Sequence, residues 1–357
     1  MFMLTNDQRE CFGLKKIPKH LECLQLPKNA NDNFETYVYI DNNVIVKCIM
    51  SGESYYYEYE LSEKVSPDKK YLLPKTEKGK PVILSTSTLS KRTGIGMSLY
   101  YGYKNISLYN DKLNSCYYSN AYLNETVHNI NQFSEWVEKW CNETTDTDKQ
   151  EFSLLSQQKR RHIKYNEGDV FRFKIGRRQY GYGRILLDYD KMRKLNEPFW
   201  DILMTKPVVC SVYHIITDSK DISIDELKKL NSLPSTIIAD NSLFYGEYEI
   251  IGNLPVTDSE DYPIMYGNSI NAYEKAVCYQ CGKVFRKIDN EKEIHGGFRH
   301  NGVSFRLNFT VEVLQKCIEE KSNKPYWDLY YYHSVNEDLR NPKHKDKLLQ
   351  IKKQFGL

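Results

Sequence analysis

The chain contains no run of about 18 apolar residues, so nothing in it reads as a membrane-spanning helix. Its first ten residues, MFMLTNDQRE, hold no apolar core of signal-peptide length, and no secretory leader is expected there. A disulfide framework is missing as well. Nine cysteines, an odd number, are scattered over 357 residues, which is the usage of reduced thiols in a cytosol. Charge of one sign is also lacking: 50 Lys+Arg stand against 47 Asp+Glu, for a net +3. Residues 1–150 hold 18 basic and 19 acidic side chains and the remainder 32 and 28, so neither half has the basic excess of a dedicated DNA binder. No internal repeat or low-complexity segment stands out. A cytoplasmic protein is the expectation.

The patterns of common catalytic sites are absent too. Eight histidines are scattered, with no HxH or HExxH pair, whereas a metallohydrolase needs several His and carboxylate ligands converging on an open metal position. No GxxxxGK[ST] loop occurs, and Gly94-Ile95-Gly96 is an isolated glycine pair. Cys210 and His214 share a strand face, but four residues along a strand is about 13 Å, too far for a nucleophile and its base. Cys278-Tyr279-Gln280-Cys281, followed by His295 and His300, fits Cys₂His₂ zinc spacing numerically. Against zinc, Gly296-Gly297 between the histidines penalises the required helix by about 2 kcal/mol. A regular strand through AVCYQCGKVF would also turn the two cysteines to opposite faces. No metal and no cofactor are expected.

What is present is a β-rich pattern, densest from Gly168 to Tyr213. Phe171, Phe173 and Ile175 alternate with Val170, Arg172 and Lys174, the period of a half-buried strand. Gly176-Arg177-Arg178 reads as a tight turn, and a second strand runs from Tyr180 to Leu187. On it Gly181 and Gly183 share one face, and Tyr180, Tyr182 and Arg184 the other. Alternate glycines leave a bare furrow where a strand or aromatic ring can approach the backbone, or where the sheet can curl. Val208 to Ile216 is a third, β-branched strand.

Elsewhere, Phe34–Met50 reads as a hairpin turning at Asp41-Asn42-Asn43, and Tyr55–Leu61 as a further strand with tyrosines on both faces. Ile106–Tyr109 and Cys116–Tyr118 form a second hairpin. Asn131 is a candidate N-cap for a helix that places Phe133, Trp136, Val137 and Trp140 on one core-facing side. Glu143–Gln150 is wholly polar and marks a boundary, followed by a short helix within residues 151–163 that ends in the solvated run Lys159–His162. Ser223-Ile224-Asp225-Glu226 is a capping box. Thr236–Ala239 and Phe244–Ile251 read as a hairpin across Asp240-Asn241, and Ala276–Ile288 as a further strand or strand pair. Helices follow at Val311–Ile318 and, after Asn341-Pro342, through Leu348, Leu349, Ile351 and Phe355. The fold class is α+β in two domains, residues 1–142 and 164–357 with a linker at 143–163, each a mainly antiparallel, curved sheet with a few packed helices.

The order GDVFRFKIG (Gly168–Gly176), YGYGRILL (Tyr180–Leu187), FWDILMTKPVVCSVY (Phe199–Tyr213) resembles bacterial immunity proteins of the immunity-26 family, over roughly residues 165–294. LTNDQRECFGL (Leu4–Leu14) and LLPKTEKGKP (Leu72–Pro81) are similar to stretches in N-terminal extensions of such chains. The resemblance implies an antitoxin-like protein, encoded beside a cognate toxin and neutralising it by contact, without catalysis. A phosphotriesterase-like label on some members supplies the alternative of a metal-dependent hydrolase; a nucleic-acid-binding module is a third reading. Arg177, Arg178, Tyr180, Tyr182 and Arg184 are the candidate partner-binding residues, being of the types that dominate interfaces. The competing account has the tyrosines packed inward and Arg184 in a structural ion pair. The 29 tyrosines leave the same choice open, since codon bias in an AT-rich genome enriches Tyr with Lys, Asn and Ile.

Overall fold

A computed structural model describes residues 2–28, 32–123, 126–195, 206–268, 275–289, 303–319 and 338–357. The chain divides into two compact units, Met1–Arg161 and His162–Leu357, and the class is α+β.

In the first unit, antiparallel strands β1 (Glu22–Gln25), β2 (Phe34–Asp41), β3 (Val44–Gly52), β4 (Tyr55–Val65), β7 (Met97–Gly102), β8 (Asn105–Asn110) and β9 (Ser115–Ser119) lie side by side. The short strands β5 (Tyr71–Leu73) and β6 (Val82–Ile83) extend the sheet from the end of β4. The β2–β3 hairpin forms where alternation predicts it. Asn42 and Asn43 take φ +46° and +63°, the left-handed pair that a two-residue hairpin turn requires.

Both faces of this sheet are covered. One packs on Leu72, Leu84 and Leu89, the last from the short helix α2 (Thr86–Leu89). The other receives α1 (Asn6–Glu10), α3 (Ile130–Asn142) and α4 (Asp146–Gln157). Phe133 and Val137 of α3 are fully buried, each stabilising by about 1.5–3 kcal/mol, and Phe12 stacks on Trp136 and Trp140. The cap of α3 is Asn129, whose side chain accepts from the Gln132 N–H, not Asn131. The predicted helix within residues 151–163 starts earlier, on the Thr145–Asp148 capping box, and buries Phe152 in this unit's core.

A buried ionic cluster holds the N-terminal segment. Glu58 is fully buried on β4. It accepts from Arg9 Nε at 2.7 Å, Arg9 Nη2 at 3.2 Å, Lys47 Nζ at 2.6 Å and the Tyr56 hydroxyl at 2.5 Å. Burial alone pushes its carboxyl up, but Lys47 and Arg9 together outweigh it and hold Glu58 below the ordinary carboxylate range. The same burial draws the Lys47 ammonium down.

In the second unit, β10 (Asp169–Lys174), β11 (Tyr180–Asp188), β12 (Pro207–Val212), β13 (Thr236–Ala239) and β14 (Glu249–Asn253) form an antiparallel sheet in the order β13-β12-β11-β10-β14. Strands β15 (Ile264–Asn268), β16 (Val277–Cys281) and β17 (Val284–Ile288) make a second one, so this unit has two sheets where one was expected. The helices are α5 (Tyr189–Met192), α6 (Ile224–Leu227), α7 (Asn241–Phe244), α8 (Asn308–Glu319) and α9 (Lys345–Gln354).

One predicted pairing fails. Thr236–Ala239 and Glu249–Asn253 are both strands, yet they lie on opposite edges of the sheet, because Asn241–Phe244 coils into α7 instead of turning a hairpin. The third strand stops at Val212. In α9 Ile351 is buried while Leu349 is exposed.

Candidate partner-binding surface

The β10–β11 hairpin shapes this surface through its register. Phe171 pairs with Gly183 and Phe173 with Gly181, so each ring lies over a glycine: a Cβ at Gly181 would come within 2.5 Å of Phe173 Cζ. Of the uses a glycine furrow allows, this fold shows the seating of aromatic rings. On the opposite face Arg172 pairs with Tyr182, and Lys174 with Tyr180.

That opposite face carries Tyr180, Tyr182 and Arg184 of the five residues singled out from the sequence, while Arg177 and Arg178 lie at the hairpin tip, and the structure separates them. Tyr182 is fully buried and Tyr180 nearly so, in a core with Val170, Tyr213 and Leu227. The Tyr182 hydroxyl donates to the Ser219 carbonyl at 3.0 Å, and Tyr180 pairs with Thr217 across an isolated bridge. Arg184 is buried and ion-paired with Glu260. Beside that pair the buried Tyr213 hydroxyl is raised by its burial, with Arg184 opposing and Glu260 adding. Arg177 and Arg178 sit in the bend at the hairpin tip, Arg178 exposed.

Around the tip gather cations that the sequence reading did not select. The Arg172 guanidinium lies 5.7 Å from the Tyr180 ring centre, as does the Lys220 ammonium, within cation–π range. Arg172 also donates to the Lys220 carbonyl at 2.7 Å and to Glu249 at 2.5 Å. Lys174 Nζ donates to the Arg177 carbonyl at 3.3 Å, and Gln179 to Asp218 at 3.3 Å. The hairpin and the loop at residues 217–222 are thereby stitched into one rim. It carries Arg172, Lys174, Arg177, Arg178 and Lys220 against Glu249, Asp218 and Asp221. Arg172 and Lys174 were legible as the strand's polar alternates. Lys220 was not, since only the return of a distant loop brings it to Tyr180.

Cys278 and Cys281 pack into different apolar clusters, as opposite strand faces require, and His295 and His300 lie outside the described residues. Among the described residues no three His, Cys, Asp or Glu side chains group to hold a metal ion. Cys210 is fully buried, and burial pushes its thiol up to about 12. Among the described residues no helix is long and apolar enough to cross a membrane.

Comparison with known proteins gives one finding. Residues 166–276 match the family model described as Immunity protein 26, a span that begins just before β10 and ends just before β16. The hairpin, its basic rim and the resemblance read from GDVFRFKIG and YGYGRILL all fall inside it. Leu4–Leu14 and Leu72–Pro81 fall outside. No curated protein and no solved structure matches the chain.

Proposed function

We propose that this chain, whose residues 166–276 match the immunity protein 26 family, is an immunity protein that binds a cognate toxin protein and neutralises it by occlusion, with no catalysis of its own. That match is the observation carrying the reading. The rim at the β10–β11 tip supports it by offering a contact surface with a chemistry. Guanidinium groups at Arg172, Arg177 and Arg178 suit bidentate contact with carboxylates, so the toxin surface it fits is acidic. Arg172 and Lys220 are held against Tyr180, so less side-chain entropy is lost when a partner docks. Opposite charge at the rim speeds encounter and fixes orientation more than it adds affinity, and an interface of about 1,600 Å² supplies the rest. The encounter takes place in the cytosol, where the nine free cysteines stay thiols.

Affinity capture of the tagged chain from its own cells, with identification of the retained protein, tests this. The expected result is a near-stoichiometric partner that stops growth when expressed alone and is harmless with this chain. A retained partner without toxicity, or a chain that fails to protect against it, overturns the proposal.

A further inference from the structure

Two carboxylates occupy one face of β4 and meet opposite fates. Glu58 is saturated by buried donors. Glu60, two residues on, is 3% exposed, yet it lines a cavity of about 330 Å³ in the first unit. Its partners there are the Lys15 N–H at 3.1 Å and the Lys15 ammonium at 2.8 Å. The Lys15 side chain is 74% exposed, so the ammonium contact is screened by water and weak. The buried carboxylate is thus held by a main-chain N–H, with the buried Lys47 opposite it on β3, and by one exposed cation that a ligand can displace.

The glycine pair Gly94-Ile95-Gly96 lets the loop backbone approach that carboxylate closely. A Cβ at Gly96 would stand 2.7 Å from Glu60 Oε2, and one at Gly94 2.0 Å from Asp111 Oδ2. Asp111 Oδ2 is buried without a hydrogen-bond partner. A second, incompletely hydrogen-bonded carboxylate thus lies close to Glu60. Apolar walls come from Leu14, Met97 and Phe152, and the solvent-exposed ammonium groups of Lys112 and Lys149 stand on the lining, Lys149 also 3.9 Å from the exposed Asp146 carboxylate. Glu10, the other acid lining the cavity, is engaged by Lys16 at 2.6 Å.

The geometry points to a binding site for a small zwitterion of the amino-acid type, its ammonium taking the place of the Lys15 ammonium on Glu60 and its carboxylate meeting Lys112 and Lys149. The volume lies at the lower end of the roughly 300–1,000 Å³ of small-molecule sites. This site belongs to the first unit and stands or falls independently of toxin binding.

Isothermal titration calorimetry on the full chain tests it, with L-lysine as an amino acid that carries a second ammonium group, n-butylamine as the cation alone and acetate as the anion alone. L-lysine gives a saturable heat, n-butylamine a weaker one and acetate none. Lys15→Ala removes the internal competitor and binds L-lysine about threefold to tenfold more tightly. Glu60→Gln, checked for an intact thermal transition, binds about tenfold more weakly or not at all. Should Glu60→Gln fail to fold, the direction of the surface variant Lys15→Ala decides alone. The site is refuted by no saturable heat from either amine with wild type and Lys15→Ala up to about 10 mM, a tenfold excess over a millimolar Kd. Unchanged affinity in a folded Glu60→Gln chain, or loss of affinity in Lys15→Ala, refutes it equally.

Discussion

Phe171 closes over Gly183 so tightly that a Cβ at 183 would lie 2.4 Å from the ring and 2.8 Å from the Ser211 main-chain carbonyl. At Gly181 the crowding comes from side chains alone, the Phe173 ring and Ile175. Side chains can yield where a backbone carbonyl cannot, so Gly183→Ala is the costlier change. It is expected to destabilise the second unit by about 1–3 kcal/mol through overpacking, and Gly181→Ala by less. Urea unfolding followed by that unit's transition reads the order; equal midpoints for both variants and wild type would sink the packing account.

Glu58→Gln leaves Arg9 and Lys47 buried without their counter-charge. The expected loss is about 3–5 kcal/mol of the first unit's stability. Because Glu58 is held below its ordinary value of 4.5, its contribution is full above that pH and lost as pH falls through the lowered value. The gap between wild type and variant, measured by thermal unfolding, therefore narrows in acid. A gap independent of pH would show that the charge does not carry the effect.

Asp111 has the opposite sign. Burial, offset by Ser98 and reinforced by Glu60, pushes its carboxyl up to about 6. A raised folded-state value means that stability is greatest below the ordinary 3.8 and is lost as pH rises through 6. Asp111→Asn is expected to stabilise the chain at pH 7 by about 1 kcal/mol, discounted for the partial exposure of the side chain, and to leave it unchanged near pH 4. Melting temperatures at the two pH values check this, and destabilisation at pH 7 contradicts it.

At the hairpin tip, reversing charge separates binding from folding. Arg177→Glu with Arg178→Glu is expected to weaken partner binding by about 1–2 kcal/mol, mostly through a slower association rate. It should also flatten the salt dependence, while stability moves by only about 0.5 kcal/mol. Surface plasmon resonance at two ionic strengths reads both effects. Unchanged association would take the tip out of the interface.

Local signals carried far in this sequence. The alternation of β2 and β3, with two asparagines at the turn, placed the first hairpin. Ser223 and Glu226 form the capping box that their spacing announces. The glycine furrow was read as a place for close approach, and the rings of Phe171 and Phe173 fill it. What failed was non-local. The sequence reads Thr236–Ala239 and Phe244–Ile251 as strands, the second of which forms over Glu249–Asn253, but alternation says nothing of partners, and these went to opposite edges. Tyr180, Tyr182 and Arg184 do share a face, but the returning segment with Tyr213 and Leu227 covers it. Tyrosines on both faces mark Tyr55–Leu61 as a strand but do not single out Glu58 and Glu60. Their burial depends on a segment some 45–49 residues away in sequence, which no window along the chain contains.

The most direct test of the central claim is growth of cells expressing the captured partner alone, with this chain, and with the chain carrying Arg177→Glu and Arg178→Glu. The account predicts arrest in the first case, full growth in the second, and a return of toxicity in the third at equal protein levels. Arrest in the second case, with the chain present and folded, would contradict neutralisation by this protein.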